Sequence, residues 1–192
     1  MSTDPARERI LDSAEELFYA RGIQRVGMDA VRDAAGVTLR RLYQLFPSKG
    51  DLVEAYLARR DARWLRSLAA HVDSAAHSPR AGLLAVFDWL EDWFARPDFH
   101  GCAFINSFGE LGGTSPQVTA AARRHKDAFH AYLRELATAA GASADTGTQI
   151  ALLAEGAMTT AAISGTPAPA RQAKQAALLL LTLDAGGVAA SA

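Results

Sequence analysis

The sequence predicts an all-α protein of about nine helices. Apolar residues recur at three- and four-residue spacing through nearly every segment, and no segment sustains two-residue alternation. Between the periodic stretches stand Gly, Pro and Ser/Thr/Asp residues at helix-capping positions. At 192 residues and 49% hydrophobic content the chain can bury a sizeable core, as one domain or as a small one joined to a larger one.

The first helix opens with Asp4 as N-cap and Pro5 at the first helical position, where a missing N–H costs nothing. Ile10, Leu11, Ala14, Leu17 and Phe18 line one face, and Gly22 suits a left-handed C-cap. Residues 28–35 read as a short second helix with Gly27 as N-cap. Gly36 makes a tight turn into a third helix over 38–45, capped by the Thr38 hydroxyl and stopped by Pro47. Ser48 and Asp51 form a capping box that opens a long fourth helix, reaching 71–76. Ser78-Pro79 starts an amphipathic segment over 79–96 with Leu83, Leu84, Phe87, Leu90, Trp93 and Phe94 near one stripe. A loop at 97–101 precedes a short apolar helix over 102–111, broken by Gly112-Gly113. A long helix follows over 115–139, then helices over 145–164 and 168–185 separated by Gly165-Thr166-Pro167. The last few residues are expected to fray.

The formal net charge of −1 conceals a local imbalance. Between Arg21 and Lys49 the basic residues Arg21, Arg25, Arg32, Arg40, Arg41 and Lys49 face only Asp29 and Asp33. That is the footprint of a small phosphate-binding module, although a solvated surface would show the same charges. With Cys102 alone, an intramolecular disulfide is impossible, so nothing favours an oxidising compartment. No apolar signal core follows Met1, and the longest apolar run, 176–181, is far too short to span a bilayer. The expected location is cytoplasmic.

Two short helices joined through Ala35-Gly36-Val37 make a helix-turn-helix. The turn needs a residue without a Cβ, and the crossing needs small or apolar residues, here Val31, Ala34, Ala35, Val37 and Leu42. The second of these helices can enter a major groove. Its outward residues are Leu39, Arg40, Arg41 and Gln44. Arg reads guanine, Gln reads adenine, and Leu touches a thymine methyl.

The run from Ile10 to Phe18, then Gly22, Ala34-Ala35-Gly36-Val37-Thr38, and Leu42-Tyr43-Gln44-Leu45-Phe46-Pro47-Ser48-Lys49, resembles the TetR/AcrR family of repressors. The resemblance covers about residues 7–57, and Gly101-Cys102-Ala103-Phe104-Ile105-Asn106 with Arg124-His125-Lys126 look like one subgroup's sensor half. It implies a DNA-binding domain at 1–47 and an effector-binding and dimerisation domain at 48–192. It implies that Thr38 caps the recognition helix and meets a phosphate, that Tyr43 holds the backbone, and that Lys49 meets a phosphate at the start of the fourth helix. Arg40 and Arg41 would reach bases or neighbouring phosphates. The chain departs from the family pattern at Val26-Gly27, Arg32, Arg40-Arg41 and Leu45. Its operator therefore cannot be inherited from a relative.

The resemblance further implies a homodimer through the last two helices, binding a palindromic double-stranded operator, and a cavity for a small apolar or aromatic effector. Trp89, Trp93, Phe104, Phe108, His125, Phe129, Tyr132 and Met158 are the candidate cavity residues, each equally readable as core. Glu110 and Glu155 lie in apolar stretches, where a carboxylate could orient a cationic ligand, but read first as caps or surface carboxylates. His100 beside Cys102 lacks a third orienting residue, and His71, His77, His100, His125 and His130 offer no His-x₃-His pair. No catalysis, cofactor or metal is expected. The alternative is a helical DNA-binding dimer without a small-molecule effector, regulated by a protein partner or by the redox state of Cys102.

Overall fold

The computed structural model describes residues 4–189 and places nine α-helices, and no strand, among them. In order they are α1 (Pro5–Arg21), α2 (Met28–Ala35), α3 (Leu39–Leu45), α4 (Lys49–Ala75), α5 (Pro79–Phe94), α6 (Ala103–Leu111), α7 (Pro116–Ala139), α8 (Ala144–Ser164) and α9 (Ala168–Ala189). The expected all-α class and helix order hold. The last helix runs four residues beyond its expected end at 185, to Ala189, and α6 starts one residue later than expected. The expected fraying of the final residues falls on 190–192, outside the described residues.

The helices sort into two compact units. One runs to Arg63 and takes in Ala103–His125; the other holds Trp64–Cys102 and the chain from Lys126 on. In the first unit α1 starts where the Asp4 carboxylate accepts the Ala6 N–H at 2.9 Å, and it ends at Gly22, φ 85°. Ile10, Leu11, Ala14 and Phe18 are buried on α1, Val31 and Ala35 on α2, Leu42 on α3, and Leu52, Val53, Tyr56 and Leu57 on α4. Phe18 meets the edge of Tyr56 with ring centroids 5.7 Å apart. The polar side of the α1–α4 contact is an ion cluster: Arg59 pairs with Glu8, Asp12 and Glu15, and Arg60 with Glu15 while lying over the Tyr19 ring.

Glu110, near the end of α6, closes the turn between α1 and α2. Its carboxylate accepts the N–H groups of Ile23 at 3.1 Å and Gln24 at 2.8 Å, while Gln24 Nε2 donates to its carbonyl at 2.6 Å. A Cβ at Gly22 would sit 3.1 Å from both Glu110 oxygens, so glycine there answers two demands, positive φ and close approach. Deeper in this unit the Phe104 ring stacks on His125 at 3.8 Å, and His125 Nδ1 lies 2.7 Å from Asp61.

The second unit packs α9 against α8 and α5. Its aromatic centre joins Trp64, Trp89, Trp93 and Phe129. Trp64 makes edge-on contacts with Trp89, Trp93 and Phe129 at centroid distances of 4.9, 5.6 and 5.1 Å. Such contacts add to plain area burial. Ser143 caps α8, and Asp184 of α9 accepts the Ser143 N–H, which holds the Asp184 carboxyl below its usual range.

Leu42 carries the seating of α3, because a seven-residue helix cannot hold itself in water and no other α3 side chain is fully buried. Leu42→Ala is expected to lower stability by about 2–5 kcal/mol, read from the midpoint of urea unfolding. Glu110→Ala is expected to speed hydrogen exchange at the Ile23 and Gln24 amides with little change elsewhere in α1.

Candidate nucleic-acid interface

The turn before α3 is built by Gly36, whose φ of 62° places it in the left-handed region. The Gly36 and Val37 N–H groups close the end of α2 onto the carbonyls of Asp33 and Arg32, both at 3.3 Å. Thr38 is extended, and its hydroxyl accepts the Arg41 N–H at 3.2 Å, so α3 begins at Leu39. With Leu42 turned inward, Leu39, Arg40, Tyr43 and Gln44 are exposed, Leu39 and Tyr43 by 40% and 43%. Phe46 is buried and ends the helix, and Ser48 reverses the chain into α4 by accepting the Asp51 N–H at 3.1 Å while donating to its carboxylate at 2.6 Å.

The charges are less uniform than their count along the chain. Arg32 is taken up by Asp29 at 2.9 Å and Asp33 at 2.6 Å. Arg41 donates one guanidinium nitrogen to Asp4 and another to Gln44 Oε1 at 3.4 Å. Arg40 and Lys49 make no ion pair among the described residues. Partial burial draws the Lys49 ammonium below its ordinary value, opposed by the charge of Glu110. The exposed face of α3 thus offers a guanidinium free to move (Arg40), one held ready (Arg41), an amide and a phenol. Lys49 stands at the first turn of α4, where backbone N–H groups lack helical acceptors.

The Asp4–Arg41 pair escaped sequence reasoning because 37 residues separate its members. The contact between Glu110 and the α1–α2 turn was equally hidden, although a carboxylate in an otherwise apolar helix was a signal.

The candidate cavity residues fall into separate groups. Trp89, Trp93 and Phe129 belong to the aromatic centre of the second unit, with Tyr132 half-buried and Met158 fully buried on helices of that unit. Phe104 and His125 stack on each other in the first. Phe108 stands apart from both groups. It is 52% exposed, because the buried side of α6 is that of Ala103, Phe104 and Ser107. Glu155, read as a cap or surface group, is instead largely enclosed and takes Lys126 Nζ at 2.6 Å. Among the described residues no group of three or more His, Cys, Asp or Glu could hold a metal ion, and no helix is long and apolar enough to cross a membrane.

Residues 10–56 match the family model described as bacterial regulatory proteins, tetR family. An HTH-type transcriptional regulator from Mycobacterium tuberculosis is 37% identical over 131 residues, covering 56% of this chain; the match spans 65% of that relative's length. Among solved structures, a TetR-family transcriptional regulator from Streptomyces coelicolor superimposes with a TM-score of 0.85 at 29% identity, covering 94% of this chain and 96% of its own. A TetR-type regulator from Streptomyces avermitilis is 32% identical, with a TM-score of 0.76, and 91% of this chain and 98% of that one are covered.

Asp4→Ser keeps an oxygen to cap α1 but removes the partner of Arg41. Helicity by circular dichroism is expected to be unchanged, while the Arg41 side-chain N–H exchanges faster with water in NMR spectra.

Proposed function

The chain belongs to the TetR family of bacterial regulatory proteins, and on that premise we propose that it is a ligand-responsive repressor that binds a palindromic operator as a homodimer in the cytoplasm. That it is a DNA-binding transcription regulator, of a family that does not catalyse reactions, follows from the family itself. The finer reading is carried by one observation: α3 buries Leu42 and turns Leu39, Arg40, Tyr43 and Gln44 outward together. A major groove accepts one helix, and these side chains carry the donors and apolar atoms that read base edges there. Thr38, Tyr43 and Lys49 would hold phosphates on either side, fixing the register of α3.

Dimerisation through α8 and α9 is supported by large apolar side chains that point away from their own unit. Leu152 and Ile163 on α8, and Leu178, Leu179 and Leu183 on α9, are 41–83% exposed. Exposed leucines on two neighbouring helices mark an association surface. A two-fold dimer would set its recognition helices about 34–36 Å apart, one turn of DNA. An effector would release the operator only by binding another arrangement of the dimer more tightly. Trp89, Trp93, Phe129, Tyr132 and Met158 remain the proposed effector contacts in the second unit, and Phe104 and His125 in the first.

A second reading, regulation through Cys102, is favoured by a single contact. The buried thiol sulfur lies 3.4 Å from Lys126 Nζ, and reactive thiols are found beside cations. Operator binding that responds to peroxide in the parent chain but not in Cys102→Ser would select this reading.

Selection of bound duplexes from a random pool is expected to yield a palindrome. On that duplex Arg41→Ala should weaken binding by about tenfold or more, as loss of one bidentate base contact does, with circular dichroism unchanged. Affinity in the parent chain should fall steeply with salt. Leu179→Glu combined with Ile163→Glu should yield a monomer in analytical ultracentrifugation.

A further inference from the structure

We propose that His130 of α7 and Glu155 of α8, which face each other in the second unit, hold the hydroxyl of an aryl ligand, a phenol or its polycyclic equivalent. The inference rests on the ligand-responsive reading above. It deepens that reading by giving a polar anchor to the effector contacts already proposed in the same unit. Lys126, His130 and Glu155 all belong to the second unit, as do Phe129 and the three tryptophans.

The anchor is a pair of unused polar atoms. Glu155 Oε1 and His130 Nε2 are buried, and neither makes a hydrogen bond among the described residues. They lie 3.4 Å apart without hydrogen-bond alignment. Buried polar atoms in native proteins are nearly always partnered, so two unused ones side by side mark a place for a third polar group. The other carboxylate oxygen, Oε2, takes Lys126 Nζ at 2.6 Å, and Lys126 also reaches Cys102 Sγ at 3.4 Å. Lys126 is thus committed, and the charge of Glu155 is balanced.

That inventory selects the head group. A carboxylate oxygen only accepts, so the ligand must donate to Oε1. An ammonium would donate, but it would set a second cation beside Lys126 with one carboxylate to share. An anionic head would meet Oε1 oxygen to oxygen. A hydroxyl donates to Oε1 in a charge-assisted bond and accepts from the Nε2–H of a neutral His130. The body follows from the neighbours. The Phe129 ring centroid lies 6.2 Å from that of His130, and Trp64 packs edge-on against Phe129 at 5.1 Å. A flat aryl group suits such surroundings. The His130 and Glu155 side chains keep 26% and 17% exposure, which leaves the anchor within reach of a ligand.

The test uses the full chain with ¹⁵N-labelled histidine, titrated with phenol, 4-phenylphenol and 2-naphthol and with the methyl ether of each. The expected result is saturable binding of at least one phenol, with the His130 Nε2 resonance shifted at saturation. Its methyl ether, which cannot donate, should bind about tenfold more weakly or worse. His130→Phe keeps a ring and removes Nε2, and should bring phenol and ether to within about twofold of each other. Glu155→Gln keeps the shape without the charge and should reduce the same preference severalfold. Should either variant fail to fold, the comparison of phenol with ether in the parent chain decides. Equal binding of the two there, or a His130 Nε2 signal unmoved at saturation, would overturn the proposal. Binding of none of the phenols would overturn it too, leaving water as the occupant. Because the titration contains no DNA, operator binding that ignores a saturating phenol would remove the ligand-responsive reading and leave the anchor standing.

Discussion

The burial of Leu42 is the contact on which the interface depends. A helix of seven residues has too few hydrogen bonds to persist alone, so α3 exists because Leu42 is driven against the core that α1, α2 and α4 share. That one inward side chain fixes the rotation of the helix. Once it is inside, the 3.6-residue period sends Arg40 and Gln44 to the opposite side and leaves Leu39 and Tyr43 exposed on its flanks. Thr38 sets where the helix starts and Gly36 how sharply the chain arrives. On the proposed reading, readout chemistry is thus a by-product of packing: the arginine-bearing face is presented because the leucine is hidden.

Around that contact the charges act as local fastenings. Arg59 and Arg60 tie α4 to α1 through Glu15, and Glu110 holds the α1–α2 turn by its backbone N–H groups. Arg41 rests on Asp4 at the very start of α1. That pairing restricts the guanidinium, which would lower the entropy lost in ordering it on the proposed DNA partner. Exposed ion pairs contribute little to stability, so the effect of the Asp4–Arg41 pair is mainly one of positioning.

Local signals in the sequence were read well because their physics is local. Asp4, Thr38 and Ser48 cap the helices they precede, and Gly36 takes the left-handed conformation that its place between two short helices required. Contacts between residues distant along the chain were not legible. No local pattern shows that Arg41 reaches Asp4, or that Glu110 reaches back to the N–H groups of Ile23 and Gln24. The aromatic residues illustrate the same limit. Periodicity placed Trp93 on an apolar stripe, but only the fold shows its ring gathering with those of Trp89 and Phe129 on Trp64, which no local pattern singled out. Phe108, on the short α6, is 52% exposed beside the buried Phe104 and Ser107, a placement that periodicity did not specify.

On the proposed reading, the exposed face of α3 is the surface that meets base pairs. NMR spectra of the arginine side chains, recorded as a selected duplex is added, address it most directly. The Arg40 and Arg41 Nε–H signals are expected to shift and to slow in exchange with water, together with the Leu39 and Gln44 side-chain signals. Tight duplex binding that leaves all four unchanged would contradict it.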